Sequence, residues 1–146
     1  MNSRLCSALS IVAVVPLLLC GPAGAASEIK GAAILDHPCG KVSVKQMGLT
    51  NAGKMDEANK LTTPEMQEQW KAMPAKDRAM MSGMMKEMSQ TQAKYAADIK
   101  SDGLLVVDGT AATLTVKKTT KDANGTSTTT QTQAFKISGS ECLISR

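Results

Sequence analysis

Aromatic side chains are scarce: the chain of 146 residues holds one Trp, one Tyr and one Phe. Arginine occurs only at Arg4, Arg78 and Arg146, and lysines alternate with acidic residues rather than forming blocks. Sequence-independent binding of nucleic acids needs clustered cations and aromatic faces on which bases stack. We therefore expect no nucleic-acid partner, although the formal net charge is +4.

Long apolar runs are also missing beyond the N-terminus, so we expect no membrane span. Arg4, the apolar residues 11–19 and the small residues 23–25 predict a bacterial-type signal peptide over residues 1–25. The protein is then exported, to the periplasm or the medium. Lipid attachment at Cys20 is the alternative, but Leu19 argues against it because lipoprotein processing generally requires a small residue there.

Only two cysteines remain after cleavage, Cys39 and Cys142, and we predict that they form a disulfide, as is usual in oxidising compartments. A nucleophilic pair of Cys39 with the single histidine, His37, is a sharper alternative. Side chains two residues apart diverge, and no acidic residue stands ready to orient the imidazole, so we do not favour it.

The remaining chain is long enough for one hydrophobic core. We assign residues 26–36 to a short linker and residues 37–146 to a single domain. Its first half has helical signals and its second half has strand signals, which predicts an α+β fold rather than alternating βαβ units.

The helical signals come from proline, glycine and apolar spacing. A first helix follows Pro38 and ends near Gly53, and a short one covers residues 55–61. Residues 62–65 (TTPE) predict a third helix with a capping hydroxyl and proline in its first turn. Pro74 interrupts the pattern, and a last helix runs to about Ser89.

Apolar residues alternate from Lys94 onward, which predicts strands, the first of them carrying Tyr95, Ala97 and Ile99. Turn signals separate the runs and predict an antiparallel meander that ends at residues 142–144. They are Ser101-Asp102-Gly103, Asp108-Gly109, Asn124-Gly125 and Ser138-Gly139.

The order of these elements, with residues 53–58 (GKMDEA), a proline-initiated helix and residues 107–116 (VDGTAATLTV), resembles small exported NTF2-like (cystatin-like cone) domains of the DUF4878 kind. The resemblance spans roughly residues 37–146. Residues 141–144 (ECLI) stand where such domains tend to have a Trp-Lys-Ile strand. The resemblance implies a curved antiparallel sheet wrapped over helices, a shape that holds a ligand, an active site or nothing in different relatives.

Methionine is unusually frequent, and one cluster recurs at three- and four-residue spacing. On a helix such residues form one face, and we interpret the face first as core, because methionine fills irregular gaps. The alternatives are a docking surface for a protein partner and a soft thioether site for Cu(I). The cluster consists of Met80, Met81, Met84, Met85 and Met88, with Met73 just upstream.

Catalytic groups are few. Tyr95 is a candidate donor and Asp98 or Asp102 a candidate base, but Asp102 has the pattern of a turn residue and Tyr95 that of a packed aromatic. We therefore expect no catalytic residues, no resident metal and no cofactor. The sequence favours an exported, non-catalytic binding or accessory domain of unknown partner. Alternatives are a periplasmic Cu(I)-binding protein and a small inhibitor or immunity-type protein.

Overall fold

The computed structural model describes residues 25–122 and 125–145, so the predicted signal peptide and Cys20 lie outside the described residues. The fold is α+β, as predicted. Helices precede most of the sheet along the chain, in the order β1 Ser27–Lys30, a 3-10 helix Gly31–Leu35, α1 Pro38–Asn51, α2 Met55–Asn59, α3 Pro64–Ala72, α4 Ala75–Met88, α5 Gln92–Asp102, β2 Gly103–Asp108, β3 Ala111–Asp122, β4 Gly125–Ser138 and β5 Glu141–Ile144.

The five strands form one antiparallel sheet in the order β1-β2-β3-β4-β5. The predicted meander is therefore confirmed from β2 to β5. Gly109 and Gly139 lie in the turns at either end of it and have φ of 56° and 59°. β3 and β4 continue past their other neighbours, because residues 117–122 pair only with residues 125–130 among the described strands.

The core lies between the sheet and helices α1 and α5 together with the 3-10 helix. Alternate residues of β2 and β3 point into it, which is the period-2 pattern of a sheet with one buried face. Its buried members are Ile34, Cys39, Tyr95, Ile99, Leu105, Ala112, Leu114, Val116, Phe135, Cys142 and Ile144.

The predicted disulfide joins Cys39, in the first turn of α1, to Cys142 in β5. Both half-cystines belong to the buried core. The bond thus fixes the first long helix to the last strand, across a sequence separation of 103 residues.

Proline and glycine set the helix boundaries much as predicted. α1 ends before Gly53, which has φ of 74°, and Met73 is extended ahead of Pro74, so α3 and α4 are separate helices. One detail differs: the Thr63 side chain makes no capping hydrogen bond at α3, and the Thr62 hydroxyl instead donates to the carbonyl of Asn59.

The predicted strand at Tyr95 is wrong, because Gln92–Asp102 is helix α5. Tyr95 and Ile99 are four residues apart, so they lie on one face of this helix and both are buried. Consequently the Ser101-Asp102-Gly103 sequence is not a turn between strands. It is the junction at which α5 passes directly into β2.

The segment predicted as a linker belongs to the domain. Ser27–Lys30 pairs with β2, and Ile34 in the following 3-10 helix is fully buried. The 3-10 helix packs so closely on α1 that a Cβ at Gly40 would stand 1.8 Å from the carbonyl oxygen of Ile34. Only glycine is accommodated at this contact.

Candidate functional site

The methionine cluster lies on the outer face of α4. At about 100° per residue, the five side chains span an arc of about 140° around the helix. Exposed fractions are 64% for Met80, 39% for Met81, 56% for Met84, 38% for Met85 and 83% for Met88. The interpretation of this stripe as a core face is therefore wrong. We call these five residues the methionine face.

The inward side of α4 explains the difference, because it carries polar and small residues. Arg78, Ala79 and Ser82 line a cavity of about 220 Å³. Asp56 and Trp70 line the same cavity, and the indole Nε1 of Trp70 donates to the Asp56 carboxylate at 2.8 Å.

A polar contact with α1 holds the C-terminal end of α4. The Asn51 amide at the end of α1 donates to the Ser89 hydroxyl at 3.3 Å, and that hydroxyl donates to the carbonyl of Lys86 at 2.7 Å. None of the residues of α4 is buried. The C-terminal end of α4 is thus tied to α1 by a polar contact, and the apolar side of the helix faces solvent.

Four members of the methionine face form a compact group. Met81 lies three and four residues before Met84 and Met85, and Met88 lies four and three residues after them. Each of these four pairs has a spacing at which Cβ atoms on a helix stand about 5–6 Å apart. We call Met81, Met84, Met85 and Met88 the thioether quartet. Met80 lies outside it and has only Met84 at such a spacing.

No thiol or imidazole of the described residues joins this group. Both cysteines of the domain are held in the disulfide. His37 precedes the first residue of α1, whereas Asn51, which contacts the α4 end, is its last. The 14 residues of α1 correspond to roughly 21 Å of helix. Across residues 25–122 and 125–145, no group of three or more His, Cys, Asp or Glu side chains is arranged to hold a metal.

His37 acts as the N-cap of α1. Its Nδ1 accepts the backbone N–H of Cys39 at 3.2 Å, which requires that nitrogen to be unprotonated. Partial burial lowers the pKa of the imidazole. The residue therefore orients the helix turn that carries the disulfide, and it is not paired with a thiol nucleophile.

Tyr95 lies in the core, 1% exposed, where burial raises the pKa of its hydroxyl. The Ser43 hydroxyl donates its one proton to the side-chain Oε1 of Gln133. It must therefore accept from the Tyr95 hydroxyl, 3.0 Å away. The Gln133 amide in turn donates to the Gln46 side chain at 2.7 Å. This directional chain satisfies the buried groups and joins α1, α5 and β4.

Neither candidate base is hydrogen-bonded to that chain. Asp98 pairs with Lys94 at 3.5 Å, and the Asp102 carboxylate accepts from the Ser101 hydroxyl at 2.6 Å. Asp102 borders an open groove of about 460 Å³ with Lys30 and Lys117, whereas neither Tyr95 nor Asp98 lines it. The structure does not bring the three candidate catalytic groups together around one cavity.

Sequence reasoning missed the polar chain of Ser43, Gln46 and Gln133. Ser43 and Gln133 are 90 residues apart, so no local sequence pattern predicts their contact. The one available signal was the single tyrosine, since a buried tyrosine hydroxyl usually has a polar partner.

Among the helices of the described residues, none combines the length and the apolar character needed to cross a bilayer. The disulfide is compatible with an exported protein. Comparison with known proteins finds no matching family model, no matching curated protein and no matching solved structure.

Proposed function

We propose that this protein is an exported, non-catalytic binding module and that the methionine face of α4 is its binding surface. The observation that carries the proposal is the exposure of all five methionines on one helix. The large apolar side chains of β2 to β5 mostly face the core, while α4 turns its apolar side outward.

Exposure of this kind calls for an explanation. Scattered apolar residues are ordinary on protein surfaces, but a contiguous apolar patch generally marks a place where something binds. Met side chains are unbranched and polarizable, so a face made of them adapts to differently shaped partners. Because no residue of α4 is buried, that face is free to bind without disturbing the core.

Two further observations support the rest of the proposal. The sequence pattern of residues 1–25 and the disulfide are typical of an exported protein. A non-catalytic role accords with the separation of Tyr95, Asp98 and Asp102, each already paired within the domain. The resemblance to NTF2-like domains stays a prediction.

Native mass spectrometry of the protein purified gently from the exporting host tests the proposal. We expect an adduct on the wild-type protein that disappears when Met84 and Met88 are replaced by Gln. The matched control replaces the exposed Thr130 and Thr132 of β4 by Gln, and it should keep the adduct. A bare wild-type monomer, or an adduct retained by the methionine variant, would contradict the proposal.

A further inference from the structure

We infer that the thioether quartet, Met81, Met84, Met85 and Met88, binds one Cu(I) ion. This inference rests on the proposed function of the methionine face, and it names the ligand class of that face. It goes beyond the choice of a surface because it specifies four donor atoms and excludes the fifth methionine, Met80.

The backbone of α4 places the four side chains as the site needs them. Each side of the quartet is an i,i+3 or i,i+4 pair, so all four side chains leave one patch of the helix surface. Met has three rotatable side-chain bonds, which allow the sulfurs to converge over the patch with no change in the helix. Their exposure, from 38% at Met85 to 83% at Met88, leaves them free to do so.

Donor chemistry selects the ion. Neutral thioether sulfur is a soft ligand that suits Cu(I), whereas Cu(II) favours nitrogen and oxygen and Ca²⁺ or Mg²⁺ favours oxygen. No thiol or imidazole of the domain competes at the quartet, because Cys39 and Cys142 are held in the disulfide and His37 lies at the end of α1 opposite to the contact with α4. Binding is a ligation of Cu(I) with no change in oxidation state.

The same chemistry predicts an unusual pH profile. Sites built from cysteine or histidine lose affinity as the pH falls, because protons compete for the ligand atoms. Thioethers carry no proton to release, and the charged neighbours of the quartet on α4, which include Asp77, Arg78 and Glu87, are not among its four donors. We therefore expect affinity at the quartet to be the same at pH 5 and pH 8, to within about twofold.

The test titrates the oxidised mature protein with Cu(I) under anaerobic conditions, with ascorbate as reductant so that the disulfide is kept. Ag(I) serves as a redox-inert probe in a parallel titration. Binding is followed by competition with a chromophoric Cu(I) chelator, and by the methyl NMR signals of the methionines, which report the ligands individually. We expect one ion per chain and shifts at the four quartet methyl groups.

The decisive variants replace Met84 and Met88 singly by Leu, which is close in volume and apolar. Each should weaken Cu(I) binding at least about tenfold, the loss that even a group supporting a ligand commonly produces. Thr132→Gln on β4, outside the methionine face, is the control and should bind like the wild type, whereas Met80→Leu tests whether the fifth methionine is excluded from the site. Because these positions are exposed, the variants should keep the wild-type fold, which circular dichroism checks.

Three results would overturn the inference: no stoichiometric Cu(I) or Ag(I) on the wild type, equal losses in Met80→Leu and the quartet variants, or binding that falls steeply with acid. The first of these leaves the proposed function standing if native mass spectrometry still shows a methionine-dependent adduct of another kind. A bare protein in that experiment would instead remove the proposed function itself.

Discussion

The disulfide between Cys39 and Cys142 offers the most quantitative perturbation. It closes a loop of 103 residues, and in the chain-entropy model such a loop raises the free energy of unfolding by about 4.7 kcal/mol. A domain of this size is typically stable by about 5–15 kcal/mol in all. Reduction should therefore remove a large share of the stability while leaving the fold in place.

Two versions of the experiment separate the bond from its packing. One reduces the wild-type mature chain, which keeps both buried sulfurs. The other replaces both cysteines by Ala. Urea unfolding should show the loss of about 4.7 kcal/mol together with a larger m-value, since the unfolded chain expands once the loop opens. At roughly 4 °C per kcal/mol for about 120 residues, the melting temperature falls by about 19 °C.

The Ala variant should lose somewhat more than the reduced wild type, because truncation of two buried side chains adds a packing cost. A loss below about 1 kcal/mol in the reduced wild type would refute the entropic argument. Equal m-values for the oxidised and reduced proteins would refute it as well, since the unfolded state would then be no larger without the bond.

Three further predictions concern the core and α1. Acidification below about pH 6.5 should lower stability, because the pKa of His37 is depressed in the folded state and protonation ends its cap on α1. His37→Asn keeps a capping side chain that does not titrate, so the melting temperature should lose this part of its pH dependence. An unchanged dependence of the melting temperature on pH would argue against His37 as its source. Tyr95→Phe should lower the free energy of unfolding in urea by about 1 kcal/mol, because Ser43 loses its donor. An unchanged free energy of unfolding would show that this hydrogen bond does not stabilise the fold. Gly40→Ala should cost about 3 kcal/mol through its clash with the 3-10 helix, whereas Gly83→Ala, with open space around it, should stabilise α4 by up to about 1 kcal/mol. Equal effects at the two glycines would show that the close approach is unimportant.

The parts of the fold that could be predicted from the sequence are those set by local prolines and glycines. Pro38, Pro64 and Pro74 restrict the backbone at or beside their own positions, so the boundaries of α1, α3 and α4 follow from neighbouring residues. The β2–β3 and β4–β5 turns are equally local, whereas Asn124 of the predicted β3–β4 turn lies outside the described residues. These elements were predicted well because few alternatives exist for such sequences.

The errors arose where distant contacts decide. Tyr95, Ala97 and Ile99 fit a strand by alternation, and the helix prevails because Tyr95 and Ile99 then bury one face together. Ser27–Lys30 becomes a strand only through its pairing with β2, far along the chain. No spacing within either segment reveals its partner.

The interpretation of the methionine face as a core face is the most instructive error. Five methionines recur at helical spacing in the sequence, and a helix that packs on a core shows the same pattern. The inward side of α4 decides the orientation of the helix, because its Arg78 and Ser82 line the same cavity as Trp70 and Asp56. The spacing identified the candidate site, and only the packing of α4 showed which way it faces.

The position of the disulfide also gives the domain the topology of a ring with two tails. The ring runs from Cys39 to Cys142, and all five α-helices and the long β3–β4 hairpin lie within it or at its edge. A protease that cuts a single peptide bond inside the ring therefore opens it without releasing a fragment. A nicked molecule then stays in one piece until its disulfide is reduced, a property that would protect the exported module we propose.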